Sequence, residues 1–381
     1  MNFKSVNLET VTNNLDYRRK PLNDRERVAL SKNKLYPYCG ANNILDYIDE
    51  YIFDEATPIL CVAEDGGDWS KGKKCCYIMN EKCWVNNHVH VLTMKNDIDV
   101  RYVYYYLNHS DLTKYITGST RGKLTKSALS KINIFLPSME IQQKIADTLD
   151  LASELIEKRK EQIAEMDKLI QSVFYEMFGD PNKLSKECKI NLKRVATITT
   201  GNTPSRKELK NYGNHMEWIK TDNMSFDSLY PSRAAEYLSE IGVNKARIAD
   251  KKSILMTCIA GSKKSIGKVV LLDRAVAFNQ QINAITMNDK INVKYLFYTL
   301  KFSKIRLEDF ANDSMKKMIT KSKLENFEIN NVGMEKQLKF ASIVEEIESQ
   351  KKIMEESLHE MENNFNALMQ KAFRGELFPE E

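Results

Sequence analysis

The 381-residue sequence has no apolar run approaching the roughly 18 residues that span a bilayer, so no membrane-crossing helix is expected. Its opening, MNFKSVNLETV, lacks the basic-then-apolar pattern of a secretory signal, and the expected compartment is the cytosol. There is no Pro-Pro pair, so the Pro-Pro-aromatic motif of an amino-methyltransferase is missing, as is its glycine-rich cofactor loop. Walker and HExxH motifs are absent too. The nearest approach is Ala260 followed by GSKKSIGKVVLL. Gly261 and Gly267 have five residues between them and Val269 follows Lys268, whereas a phosphate loop needs about four and then a Ser or Thr. The seven cysteines are odd in number and irregular in spacing, which argues against a disulfide framework. Cys75, Cys76 and Cys83, with His88 and His90 after them, form the one cluster to weigh for zinc. Adjacent cysteines and a long gap do not supply the paired ligands a zinc site needs, so buried reduced thiols and no metal are expected. With no catalytic set, the expectation is a binding protein rather than an enzyme.

What the sequence does contain is unevenly placed basic charge and an internal repeat. The formal charge is +5, but residues 139–177 hold five basic and nine acidic side chains, and residues 334–372 hold five and eight. The rest of the chain therefore carries 47 basic against 35 acidic residues, an excess of 12, which suits a polyanion. TKSALSKINIFLPSMEIQQKIA (125–146) returns as TKSKLENFEINNVGMEKQLKFA (320–341), 195 residues later. NNHVHVLTM (86–94) returns as NQQINAITM (279–287), and VNLETV (6–11) as INLKRV (190–195). The middle of each copy diverges: LYPYCGANNILDYIDEYIF in one, TTGNTPSRKELKNYGNHMEWIKTDN in the other.

Each copy closes on a heptad helix. The first presents Ile145, Leu149, Ala152, Ile156, Ile163, Met166, Ile170, Val173 and Met177 at alternating spacings of four and three, interrupted at Arg159. The second presents Val344, Ile347, Leu358, Met361, Phe365 and Leu368, interrupted at Lys351. The shared register predicts that the two helices pair as an intramolecular coiled coil; two unrelated amphipathic helices, each packed on its own head, are the alternative. From Ile145 to Met177 such a helix rises roughly 50 Å at about 1.5 Å per residue. An antiparallel pair would give a pseudo-two-fold repeat with one head at each end, a spacer between two half-site readers. Gly179-Asp180-Pro181 and Arg374-Gly375 carry stop signals.

The heads read as α+β. Thr57–Ala63 and Ser253–Ile259 are strand candidates, and Tyr102–Leu107 and Tyr295–Leu300 are short helices. Glycine–lysine loops follow the strand in both copies, with Lys71, Lys73 and Lys74 in one and Lys263, Lys264 and Lys268 in the other. They suit close approach to a DNA backbone; tight hairpins with solvated lysines are the alternative. Basic residues also gather before each long helix: Arg121, Lys123 and Lys126, then Lys316, Lys317 and Lys321. Sequence read-out is expected in the divergent stretches, at Tyr36, Tyr38, Asn42 and Asn43 and at Asn202, Thr203, Ser205, Arg206 and Lys207. Asn86, Asn87, Gln280 and Gln281 lie in the matched segments, which suits a structural strand better.

LPSMEIQQKIADTLD (136–150), FYEMFGDP (174–181), MEKQLKFASIVEEIE (334–348) and AFRGEL (372–377), set after two divergent heads, resemble the specificity subunit of type I restriction–modification enzymes. The resemblance covers essentially the whole chain. It implies target recognition domains at 1–137 and 182–332, each reading half of a split DNA site, and spacer helices at 138–181 and 333–381. It further implies double-stranded DNA as ligand, docking of two modification (methyltransferase) subunits on the helices, and a translocating nuclease (restriction) subunit. S-adenosylmethionine and ATP are then expected on those partners and no cofactor on this chain. A coiled-coil scaffold binding proteins at its globular ends is the alternative; its association would be insensitive to salt. A self-contained modification enzyme is a second alternative, and would methylate DNA with no partner.

Overall fold

The apolar runs ILCVA and VHVLTM become the central pair of a four-stranded antiparallel sheet, ordered Thr12–Asn14, Val89–Met94, Ile59–Ala63, Cys76–Met79. Side chains alternate across a strand, and here both faces are covered. Leu60, Val62 and Leu92 join a core with Tyr102, Val103 and Leu107 of the helix Val100–His109. Ile59, Cys61 and Val91 join another with Cys39 and Phe53. The computed structural model describes residues 4–54, 57–118, 121–184, 188–262, 265–311 and 317–378.

The chain divides into two units, one formed by Met1–Lys160 with Glu356–Glu381, the other by Glu161–Glu355. The second unit repeats the plan of the first. Its four-stranded antiparallel sheet runs Ala196–Thr200, Ile282–Met287, Ile254–Thr257, Val269–Leu271. In the first unit a small sheet places Tyr36–Cys39 between Ile44–Ile48 and, in parallel, Trp84–Val85. The second unit enlarges this to five strands and keeps the parallel pair, Met216–Ile219 with Val276–Phe278. An antiparallel ribbon opens and closes each head: Lys4–Asn7 with Asn133–Leu136, and Lys189–Asn191 with Glu328–Asn330. Both heads are therefore α+β.

Two helices of 40 residues, Met139–Phe178 and Met334–Phe373, follow the heads. Within the first unit the start of one meets the end of the other: Ile141, Ile145 and Leu149 share a core with Met369 and Ala372, and Phe365 and Leu368 pack on it. Within the second unit the roles exchange, and Ile170 and Phe174 share a core with Phe340, Val344 and Ile347. Start against end means an antiparallel course in each unit. Of the heptad positions, Ile145, Leu149, Ile156, Ile170, Val344 and Ile347 are buried, whereas Ile163, Met166, Leu358, Met361, Phe365 and Leu368 are half-buried. Lys351, which interrupts the apolar register, holds both carboxylate oxygens of Asp167 on the opposite helix at 2.7 Å.

One head-to-helix joint occurs twice. In the first unit the buried Gln142 accepts from the Asp99 backbone N–H at 3.0 Å and donates to the Pro137 carbonyl at 3.0 Å. In the second unit Gln337 accepts from the Asn292 N–H at 2.8 Å and donates to the Val332 carbonyl at 2.7 Å. Tyr102 donates to the Phe135 carbonyl and Tyr295 to the Asn330 carbonyl. Arg101 and Tyr105 hold Asp150, as Lys294 and Tyr298 hold Glu348. Replacing Gln142 with Leu removes a partner from three backbone groups, since its amide also donates to the Asp97 carbonyl at 3.3 Å, and costs about 2 kcal/mol. Hydrogen exchange in Gln142→Leu is expected to rise across the first unit and stay unchanged in the second; uniform or unchanged exchange would contradict the joint.

Candidate nucleic-acid interface

In the first head, contacts far apart in sequence gather three of the predicted segments. Asn42 donates to the Gly66 carbonyl at 3.0 Å, Arg121 meets Asp65 at 2.6 Å, and Lys123 meets Glu64 at 2.8 Å. The glycine–lysine loop is thus anchored at its base by Glu64 and Asp65. Trp69 anchors it further, buried with its indole N–H toward the Ala63 carbonyl at 3.3 Å. Lys71, Lys73 and Lys74 stand exposed beyond that anchor, with no ion pair among the described residues. They are the free charges of this loop, while Arg121 and Lys123 are already neutralised. Lys126 is exposed beside the cleft lined by Leu8, Glu9 and Asn14. Asn43 is exposed, and half-buried Tyr36 packs edge-on to Tyr51 at 4.9 Å. Tyr38 corrects the sequence expectation: it is buried with Ile48 and Trp84 and supports the surface from within, because Trp84, its partner on the parallel neighbouring strand, covers it.

Under the loop lies a buried polar network. His90 bridges the Asp16 carboxylate at 2.6 Å and the Leu124 carbonyl at 2.7 Å, and Arg19 reaches Glu64 at 2.5 Å. Burial would raise both carboxyls. The His90 ring beside Asp16, and Lys123 and Arg19 beside Glu64, outweigh it and hold both below the ordinary carboxylate range. In the second head burial again opposes ionisation of Glu217, and hydrogen bonds from Arg274 and the Ala234 N–H hold that carboxyl low. A depressed folded-state value means these groups stabilise the fold above the unfolded carboxyl value of about 4 and lose that contribution as pH falls through the lower, folded value. Resistance to denaturant is therefore expected to be level from neutrality to about pH 5 and to decline below about pH 4. A midpoint unchanged between those limits and strong acid would refute the assignment.

In the second head the divergent stretch 200–212 folds against 239–248 as one lobe. Asn202 clamps it, donating to the Lys245 carbonyl at 2.7 Å and accepting from the Arg247 N–H at 2.8 Å. Tyr212 donates to the Pro204 carbonyl at 2.7 Å, and the Asn211 amide donates to the Ser205 carbonyl at 3.0 Å. Gly242 lies so close that a Cβ there would fall 1.9 Å from the Asn211 carbonyl oxygen, so no larger residue fits without moving the lobe. Arg206 lies over Tyr212 and Trp218 and pairs with Glu236 at 2.9 Å. Lys245 pairs with Glu208 at 2.7 Å, and Lys207 is exposed and unpaired among the described residues. Thr203 donates to Gln280, and Ser205 is exposed. Lys268 is half-buried near the Phe226 ring. Lys317 lies in a short ribbon with Ile259–Ala260, and Lys321 faces Glu325 at 3.7 Å. Lys263, Lys264 and Lys316 lie outside the described residues.

Sequence reasoning missed Lys210, Lys245 and Arg247, which belong to the same lobe as Lys207; Lys210 and Lys245 both pair with Glu208, at 3.9 Å and 2.7 Å. Their signal was present in the divergence of the stretch but not in its spacing, since 35 residues separate Lys210 from Lys245. The cysteines weighed for zinc are divided between cores: Cys75 and Cys76 pack with the helix Val100–His109, and Cys83 faces the opposite side of the sheet. His88 turns to Asp65 at 2.9 Å. Among the described residues no group of three or more His, Cys, Asp or Glu side chains is arranged to hold a metal ion, and no helix is long and apolar enough to cross a membrane.

Residues 3–165 and 186–363 match the profile described as the type I restriction modification DNA specificity domain. A Haemophilus influenzae chain bearing the name type I restriction enzyme specificity subunit is 28% identical over 345 residues, 82% of this chain and 81% of its own length. Among solved structures, the type I restriction-modification S subunit of M. genitalium aligns with a TM-score of 0.58 at 14% identity, over 98% of this chain and 96% of the other. A chain from a study of type I R-M complex assembly and conformational transition aligns with a TM-score of 0.58 at 17% identity, over 98% of each. At these identities the structural likeness concerns the fold.

Proposed function

Because the chain belongs to the type I restriction–modification DNA specificity family, the non-catalytic component that recognises DNA, we propose that its two heads read the two halves of one bipartite duplex target. The observation that carries this reading is the contrast between frame and loops. The Gln142 and Gln337 joints are built alike, whereas the loops presented by the two heads differ in length, charge and sequence. A shared frame with unlike loops is what two readers of unlike half-sites require. In this reading residues 1–137 and 182–332 are the target recognition domains, and 138–181 and 333–381 set the spacer and dock methyltransferase subunits. Leu151 and Leu155, 60% and 48% exposed one turn apart on the first long helix, offer apolar surface for such docking. S-adenosylmethionine and ATP would bind the methyltransferase and restriction partners.

Lys71, Lys73 and Lys74 in one head and Lys207 in the other are cations free to meet phosphate, so binding should weaken steeply with salt. Methylation mapping in cells with and without the gene tests the reading. A bipartite motif that loses methylation with the gene is expected, and exchange of loops 200–212 and 239–248 should alter one half of it. An unchanged methylome in cells that express the partner subunits, or methylation by the purified chain alone, would overturn it.

A further inference from the structure

The lobe of the second head ends in an apolar point set among positive charges. Leu209, at the start of the short turn Leu209–Asn211, is 82% exposed, and Ile241, on the facing helical turn Glu240–Val243, is 48% exposed. Both turns are fixed from below. The Ser239 N–H donates to the Asn211 carbonyl at 3.0 Å, the Ser239 hydroxyl donates to the Lys210 carbonyl, and Gly242 sits against the Asn211 backbone. Lys207 lies two residues before Leu209 and Lys210 directly after it, and Lys245 and Arg247 follow Ile241. Glu208, next to Leu209, pairs with Lys245 at 2.7 Å and Lys210 at 3.9 Å, which leaves Lys207 and Arg247 without a carboxylate partner among the described residues. A single exposed leucine needs no explanation. A leucine held on a braced turn, with a second exposed aliphatic residue on the facing turn and the unpaired cations Lys207 and Arg247 in the same lobe, is arranged for a ligand both anionic and locally apolar.

Duplex DNA offers that combination in the major groove, where phosphates border the thymine 5-methyl group, the one apolar mark on a base edge. A protein partner of the same shape would need acidic residues around an apolar pocket. The continuity of this tip with Asn202, Thr203 and Arg206, in the stretch that diverges between the heads, favours DNA. Resting on the DNA-reading function above, we propose that Leu209, with Ile241 on the facing turn, reads a thymine methyl group in the second half-site while Lys207 holds the adjoining phosphate.

The test uses the full chain with its methyltransferase partner and the duplex carrying the motif found by methylation mapping. Thymines are replaced by deoxyuridine in one half-site at a time, which removes only the methyl groups. In one half the replacement should weaken binding about fourfold, the worth of one buried methyl group. Leu209→Ala should weaken binding to the thymine duplex by at least as much and no longer distinguish thymine from deoxyuridine, with the other half unaffected. Lys207→Ala should weaken all duplexes alike and reduce the salt slope by about one. Equal loss on deoxyuridine replacement in Leu209→Ala and in the parent, or a motif with no thymine in either strand of that half, overturns the inference and leaves the DNA-reading function standing. Failure of the parent complex to bind the duplex overturns that function itself. Leu209→Ala that reads DNA normally but no longer assembles with the methyltransferase assigns the tip to a protein interface instead.

Discussion

Phe340→Ala is expected to lower the stability of the second unit by about 3–5 kcal/mol, the usual range for emptying a buried aromatic site. Phe340 is fully buried, its ring 5.4 Å from Phe174, 5.4 Å from Phe178 and 5.7 Å from Tyr298. Those partners come from the first long helix and the helix Val293–Phe302, so one side chain joins three elements. Aromatic rings in edge-on contact do not collapse readily into a void, which puts the cost toward the upper part of the range. Unit-resolved hydrogen exchange is the measurement, because a two-unit chain need not melt in a single step. Faster exchange is expected in Glu161–Glu355, with the first unit unaffected. A loss below about 1 kcal/mol would mean that the site relaxes or that the packing is wrong.

Arg274→Ala is expected to cost a similar amount for a different reason. Glu217 is buried, with only 7% of its surface exposed, and its carboxylate is held by Arg274, by the Ala234 N–H at 3.0 Å and by Arg233 at 3.3 Å. Arg233 is largely in solvent and cannot replace the inner guanidinium. Removing Arg274 leaves a buried carboxylate with too little compensation, a loss of about 3–5 kcal/mol. Burial of a pair need not stabilise relative to apolar packing. The double replacement Glu217→Met with Arg274→Met should therefore recover most of the loss, short of the ~1–2 kcal/mol for the orphaned Ala234 N–H. Denaturant titration of the single and double variants checks both. A double variant as unstable as Arg274→Ala would show that the charges, and not their imbalance, hold this part of the five-stranded sheet.

Several features of the fold were legible because they are local or periodic. The runs at Ile59–Ala63 and Ile254–Thr257 carry no polar alternation, as strands covered on both faces do not. The helices Val100–His109 and Val293–Phe302 begin where Asp99 and Asn292 cap the first turn. The long helices stop at their glycines. The candidate interface was less legible. Arg121 and Lys123 looked equivalent to Lys71 and Lys73, yet Asp65 and Glu64 neutralise the first two and not the second pair. Those partners lie more than 50 residues away in the chain. Tyr38 sits two residues from Tyr36 on the same face of one strand, and which of the two would be covered depended on the neighbouring strand that supplies Trp84.

The repeat, the heptads, the α+β character of the heads and the excess of basic charge outside the helices follow from the sequence by itself, because repetition, periodicity and composition need no knowledge of contacts. Tertiary structure alone decided which end of each long helix joins which head. A heptad register repeats itself along the helix, so it specifies a seam without specifying a neighbour; Tyr102 against Phe373, and Tyr295 against Phe174, supply that choice. Tertiary structure also decided which cations remain free, since a charge is neutralised by what folding brings beside it.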